Sequence, residues 1–437
     1  MFRVNRTIIL GVVLLTLGAL AEGQSATPPP CPGFNPANNT NIACELATGF
    51  PTTQSFSATT KSTGTSTGFN PAVLSTALAA QLSSLPVATA VSGTGIKFVN
   101  GIPTLSSESL GTILTQRGDT IGKHRFFFSF NYQRFAFGSV DGIRMKNFET
   151  VNVVNFTTTN SSGATVPLGT SFVASQDRID FKVDQYTALA TFGITDRVDL
   201  TLVVPFSTVR LTTSSAGTQY NVDPNGNLVS QFASQSIRLT GEKSGAGDVI
   251  VSVKGNLLRA ENGISIAVGS DLRIPTGDET NYLGTGAYGI KPFVILSHSG
   301  KRLTPNINVG YQWNSSSSLY TDQTTGEHLD LPSSFLYSGG ADFRVTKRLT
   351  LVGEFIGQFV FNGPRLVNNS VTIPTVGSFV ATQGSSGTSN YAIDDAGGGL
   401  KLKLWRSLLI TASALFKLDD AGLRAKVVPL AGVSYRF

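Results

Sequence analysis

Leu423-Arg-Ala-Lys-Val-Val-Pro-Leu-Ala-Gly-Val-Ser-Tyr-Arg-Phe437 closes the chain, and the reading of the fold starts from it. One parity carries Ala425, Val427, Pro429, Ala431, Val433, Tyr435 and Phe437. The other carries Arg424, Lys426, Val428, Leu430, Gly432, Ser434 and Arg436, so every charge falls on one side. Period-two segregation of this length describes a strand with a different solvent on each face. A tilted strand of about 9–11 residues crosses a bilayer, with aromatics at its interfacial ends. A closing strand of a soluble β-sandwich would read alike, so the rest of the chain must decide.

Charged residues make up only 14% of the 437-residue chain. That is well under the roughly 25% of soluble proteins. No apolar run after the first residues approaches the ~18 that a membrane helix needs. The net charge of +6 is spread along the chain without a Lys/Arg cluster, which leaves no nucleic-acid footprint. Arg3 and Arg6 precede the apolar run Ile8 to Leu15, with small residues around Ala19 and Ala21. This is the pattern of an export signal over residues 1–23, and it sends the mature chain to an oxidising compartment. There Cys31 and Cys44, the only cysteines, are expected to form one disulfide contributing about 3 kcal/mol.

Residues 24–121 do not read as membrane strands. Asn70-Pro71 opens a helix whose apolar residues Val73, Leu74, Ala77, Leu78 and Leu82 recur at helical spacing, and Pro86 ends it. The segment is expected to pack in the periplasm or to form a hatch, with Ala77 approaching wall positions such as Asn306. From Gly122 onward alternating segments follow one another, joined in turn by short turns and mostly longer loops. His124 to Gln133, Asp177 to Phe192 and Leu303 to Asn314 are clear examples.

The whole gives an all-β fold, a transmembrane antiparallel up-and-down barrel over residues 122–437. It has about twelve strands, or fourteen if Gly95–Leu105 adds a hairpin. Alternating connection lengths place the short turns and both termini in the periplasm of a bacterial outer membrane. Outer-membrane lipid and the barrel-assembly machinery are the partners this implies, with Tyr435 and Phe437 as the assembly signal.

The inward parity is expected to line the lumen with charges of both signs. These are Lys182, Asp184, Asp199, Asp248, Lys254, Asp271, Arg273, Lys291, Asp342, Arg344, Glu354, Lys401, Lys403, Arg424 and Lys426. Such a lining either neutralises itself in a filled barrel or orients a solute and grips a plug. Gly284-Thr-Gly286-Ala-Tyr-Gly289 matches a dinucleotide fingerprint, but strand-like sequence follows where a helix is required. His298-Ser299 and the pair His328 and Asp330 do not make a catalytic constellation, and neither an enzyme, a metal site nor a cofactor is expected.

Several stretches resemble the MetA-pathway of phenol degradation family of outer-membrane proteins. They are Thr67–Pro86, Arg117–Lys123, Gly193–Phe206, Gly245–Val251, Asp271–Glu279, Leu283–Phe293 and Asn308–Asn314, in that order. The resemblance implies a barrel that passes small aromatic or other hydrophobic compounds. The alternative is a structural or adhesive barrel with a closed lumen that displays loops 137–176, 210–246 and 362–390.

Overall fold

The computed structural model describes residues 41–48, 63–67, 71–83, 95–99, 102–106 and 110–436, apart from 235, 322–326 and 406. The signal segment, Cys31 and Phe437 lie outside the described residues.

Twelve antiparallel strands form a ring. In chain order they are β1 (Phe126–Val140), β2 (Thr165–Gly193), β3 (Val198–Val222), β4 (Val249–Arg259), β5 (Ile264–Ile274) and β6 (Gly289–His298). Then come β7 (Leu303–Asn314), β8 (Ser334–Arg344), β9 (Leu349–Ile373), β10 (Gly377–Trp405), β11 (Leu408–Lys417) and β12 (Val427–Arg436). The last strand closes on the first, with Ala431 opposite Tyr132 and Tyr435 opposite Phe128. Closure removes the unpaired edge that hydrocarbon could not tolerate.

The terminal strand behaves as its alternation dictates. Val427, Val433 and Tyr435 are exposed on the outside, while Val428, Leu430, Ser434 and Arg436 are buried inside. Phe126, Phe128 and Phe130 of β1 likewise face outward, against inward Phe127, Ser129 and Asn131. Leu200, Leu202, Val294, Leu296, Ile307 and Val433 continue this exposed apolar face around the ring. A closed barrel with such a belt is of the outer-membrane type.

Residues 95–99 and 102–106 do pair as a hairpin, but in a separate two-stranded sheet, so the ring stays at twelve. The expected long polar loops are largely strand. Phe148–Thr159 pairs with Thr165–Asp177, Ile237–Ala246 pairs with the outer half of β3, and β9 and β10 pair on through residues 363–389. Beyond the lipid both faces of a strand meet water or protein. Thr-, Ser- and Val-rich sequence keeps its β-propensity there without an apolar stripe to reveal it.

Among the described residues two helices precede the ring: α1 (Ile42–Thr48) and α2 (Pro71–Ser83). The second was expected to be two-faced, but Thr76, Ala77, Leu78 and Ala79 are buried in succession. A helix apolar nearly all round is one enclosed by protein. Both helices stand at the long-loop end, α1 against Ile237–Ala246 and α2 against Ser316–Thr321 and Leu423–Ala425. Ala77 therefore does not reach the level of Asn306, which lies close to the short-turn end of β7.

Candidate functional site in the barrel lumen

Residues Leu110 to Ile121 cross the interior near the short-turn end, and the wall meets their backbone with charged and amide side chains. Glu354 on β9 is the chief anchor. Its Oε1 accepts from the backbone N–H groups of Ile113, Leu114 and Thr115 at 3.0, 2.8 and 2.8 Å, and from the Thr115 hydroxyl at 3.0 Å. Successive N–H groups converging on one oxygen form a nest, which suits a full negative charge.

Beside it Lys401 Nζ donates to Thr112 O. Asn308 both donates to Gln116 O and accepts from its N–H, at 3.0 and 3.1 Å. Further along, Lys254 Nζ donates to Asp119 O at 2.8 Å and Asn256 Nδ2 to Gly118 O at 2.8 Å. Asp199 accepts from the Ile121 N–H, and Arg436 Nη2 donates to Ile121 O at 2.6 Å. Most of these contacts are to backbone, while Arg117 reaches Ser299 and Thr120 accepts from Arg259 with their side chains.

The fit also needs space. A Cβ on Gly340 would come within 2.5 Å of Thr115 Oγ1, and one on Gly399 within 2.6 Å of Ile113 Cδ1. These inward glycines let the segment lie close against β8 and β10. If Gln116 sits where Asn308 holds it, the double variant Gln116→Cys/Asn308→Cys crosslinks rapidly under mild oxidation. Peptide mass spectrometry reads the new bond; its absence in folded protein would place the segment elsewhere.

The long-loop half of the lumen has a different chemistry. Phe135, Phe137, Phe181, Val183, Val209 and Leu211 face inward and are at most 3% exposed. They pack with Ile42, Leu46, Leu78 and Tyr282 in one apolar cluster. Tyr282 is the hub. Its ring meets Phe181 edge-on at 6.0 Å, and its hydroxyl lies 2.7 Å from Ser75 Oγ of α2.

The loop carrying Tyr282 folds inward because Asp248 holds it. That carboxylate accepts from the Thr285 N–H at 2.8 Å, the Thr285 hydroxyl at 2.7 Å and the Gly277 N–H at 3.1 Å. Arg273 Nε stands 3.8 Å from it. Asn281 Oδ1 of the same loop accepts from the Ile42 N–H at 3.1 Å, which ties in α1. On α1 itself, burial raises the Glu45 carboxyl above the ordinary carboxylate range, and Lys243 pulls it back.

The lumen-lining residues read from the sequence thus divide into groups. Asp199, Lys254, Glu354 and Lys401 hold the segment 110–121, and Asp342 is buried at its level. Asp248 and Arg273 hold the inward loop, and Lys291 pairs with Asp271 at 2.7 Å. Arg424 Nη2 pairs with Asp395 at 2.8 Å. Arg344 and Lys403 share the inward parity and are half-buried, and Lys426 is exposed at the bulge before β12.

Lys182 and Asp184, expected in the lumen, are on the outer face. They share the parity of Arg178 and Tyr186, which faces outward, while Phe181 and Val183 take the lumen. Asn308, Asn256 and Arg436 escaped the sequence reading, which counted charges and overlooked inward amides; Arg436 was on the inward parity from the start. Cys44 is buried on α1, whereas its expected partner Cys31 is outside the described residues.

The other sequence patterns fall into place as structure. Gly289 opens strand β6 and no helix follows it, His298 faces outward, and Ser299 Oγ accepts from Arg117 at 2.9 Å. His328 and Asp330 lie on a short exposed strand. Tyr435 is on the outer face, 39% exposed, and Phe437 is not described.

Neither a family model nor a curated protein sequence matches the chain. Among solved structures, an outer-membrane channel from Pseudomonas putida F1 is similar over 73% of this chain and 97% of its own, at 10% identity and TM-score 0.43. The toluene transporter of Ralstonia pickettii is similar over 72% of this chain and 90% of its own, at 12% identity and TM-score 0.32. A Pseudomonas aeruginosa FadL homologue shares the same coverage, 72% and 90%, at 12% identity and TM-score 0.29.

Proposed function

We propose that the chain is an outer-membrane channel for small hydrophobic solutes, aromatic ones above all, gated by its own N-terminal segment. The observation that carries this reading is the two-layered lumen. An apolar, aromatic wall at the long-loop end suits an apolar solute, and a polar-anchored crossing segment bars the short-turn end. Contacts of that second kind can be exchanged for water one at a time, because each hydrogen bond to a charged group nets only about 1.5–3 kcal/mol. The resemblance to the phenol-degradation family supports the aromatic class.

Planar-bilayer conductance of the refolded protein, with and without residues 24–121, tests the reading. Little current from the intact chain and clear current from the truncated one is the expected result. Steady conductance from both would instead make it a general pore. Silence from both, with folding shown by heat-modifiable gel mobility, would favour a filled barrel working through its outer hairpins.

A further inference from the structure

The outer face of the barrel is charged in one sector only. Among the residues paired in the ladders from β4 round to β12, the outward-facing acids and bases are Asp394 and, at the short-turn end, His298, and the Tyr337 hydroxyl donates to Asp394 at 2.7 Å. On β1, β2, β3 and Ile237–Ala246 the outward parity is crowded with charge above Tyr132, Tyr186 and Phe206. The ladder places these side chains in rows. Arg134, Asp184, Thr208 and Ser244 form the first, and Lys182, Arg210 and Glu242 belong to the next. Asp180, Thr212 and Thr240 form the row above that, with Asp180 turned down to Lys182, and Arg178, Ser214 and Arg238 make the topmost charged row.

The lower rows neutralise themselves. Asp184 pairs with Arg210 at 2.5 Å and Arg134 at 3.7 Å, Glu242 with Arg210 at 3.1 Å, and Asp180 with Lys182 at 2.8 Å. Glu149, the nearest acid beyond the top row, accepts from Gln176 Nε2. Arg178 and Arg238 are exposed, and no ion pair with either occurs among the described residues. Each lies directly opposite Ser214, from either side. Strands are about 4.8 Å apart, so the two backbones stand roughly 10 Å apart and both guanidinium groups can converge over one hydroxyl. Guanidinium forks and hydroxyl donors are the recognition chemistry of a phosphate.

Height selects the source of that phosphate. A strand tilted by about 40° climbs roughly 2.5 Å per residue, and the apolar belt is about 25 Å tall. A belt that begins at Phe192 therefore ends near Lys182, and Arg178 stands roughly 10 Å higher on this scale, at the level of lipid headgroups. We propose that Arg178, Ser214 and Arg238, with Thr212 and Thr240 beneath them, bind a headgroup phosphate of an outer-leaflet lipid whose acyl chains lie on the aromatic face below. The site is independent of what the lumen passes.

Native mass spectrometry of the detergent-solubilised full-length protein, titrated with diphosphoryl lipid A, tests this. The wild type is expected to retain one lipid. Arg178→Glu/Arg238→Glu should weaken retention at least tenfold, and Arg178→Lys/Arg238→Lys should keep most of it. Undiminished retention by the Glu variant overturns the proposal, as does equal binding of the same lipid stripped of its phosphates. Displacement by inorganic phosphate at concentrations comparable to the lipid would assign the site to a free anion and overturn it too. Heat-modifiable mobility checks folding, and the stripped-lipid comparison on wild-type protein decides the matter if the Glu variant fails to fold.

Discussion

Replacing Glu354 by alanine is expected to raise the conducting fraction of intact protein by about two orders of magnitude. Four donors converge on one oxygen of this buried side chain, three of them backbone N–H groups. Hydrogen bonds to a charged group contribute about 1.5–3 kcal/mol each, but a shared acceptor makes them far from additive. A total near 3 kcal/mol for the anchor is a fair scale, and about 1.4 kcal/mol corresponds to a factor of ten. Glu354→Gln keeps an acceptor in place without the charge and should open the channel much less. Single-channel recording in planar bilayers measures both. Equal, near-zero conductance of Glu354→Ala and wild type would remove the segment from any gating role.

Asp248→Ala should free the inward loop in a different way. The carboxylate takes three hydrogen bonds from residues 277 and 285 and stands beside buried Arg273. Its removal leaves those donors buried without their acceptor, a cost of about 3 kcal/mol. Hydrogen exchange over residues 276–288 should then speed up by roughly a hundredfold. The segment at the short-turn end should keep its protection, because Glu354 and Lys254 hold it separately. If protection is unchanged over 276–288, Tyr282 and its packing on Phe181 hold the loop without help from Asp248. In that event Tyr282→Ala becomes the disruptive change.

The ring was legible wherever a strand runs between lipid and lumen. There the alternation of β1, β7 and β12 puts Ser129, Asn131, Asn306 and Arg436 on the inward face and an apolar row outside, although Phe127, Val428 and Leu430 also face inward. The sorting fails above the belt, and Lys182 and Asp184 show why. At that height the outside is wet and the inside is packed against helices, so the polarity of the two faces inverts along one continuous strand. Phe181 and Val183 face inward for the same reason. The plug was legible only as a segment unlike the strands around it. Its anchors meet backbone groups, and a backbone N–H leaves no mark in the residue that carries it. Gly340 and Gly399 were the faint sequence trace of its passage, readable only once something is known to lie against them.

The ring shuts between β12 and β1, and Arg436 of that last strand holds the carbonyl of Ile121, just ahead of the first. The N-terminal helices meanwhile pack on inward side chains at the opposite mouth. A finished barrel would have to be threaded to reach this arrangement, whereas an open sheet can be folded around it. Closure is therefore a step with a deadline: the interior must be furnished before the seam forms, and a chain that seals early is trapped as an empty pore.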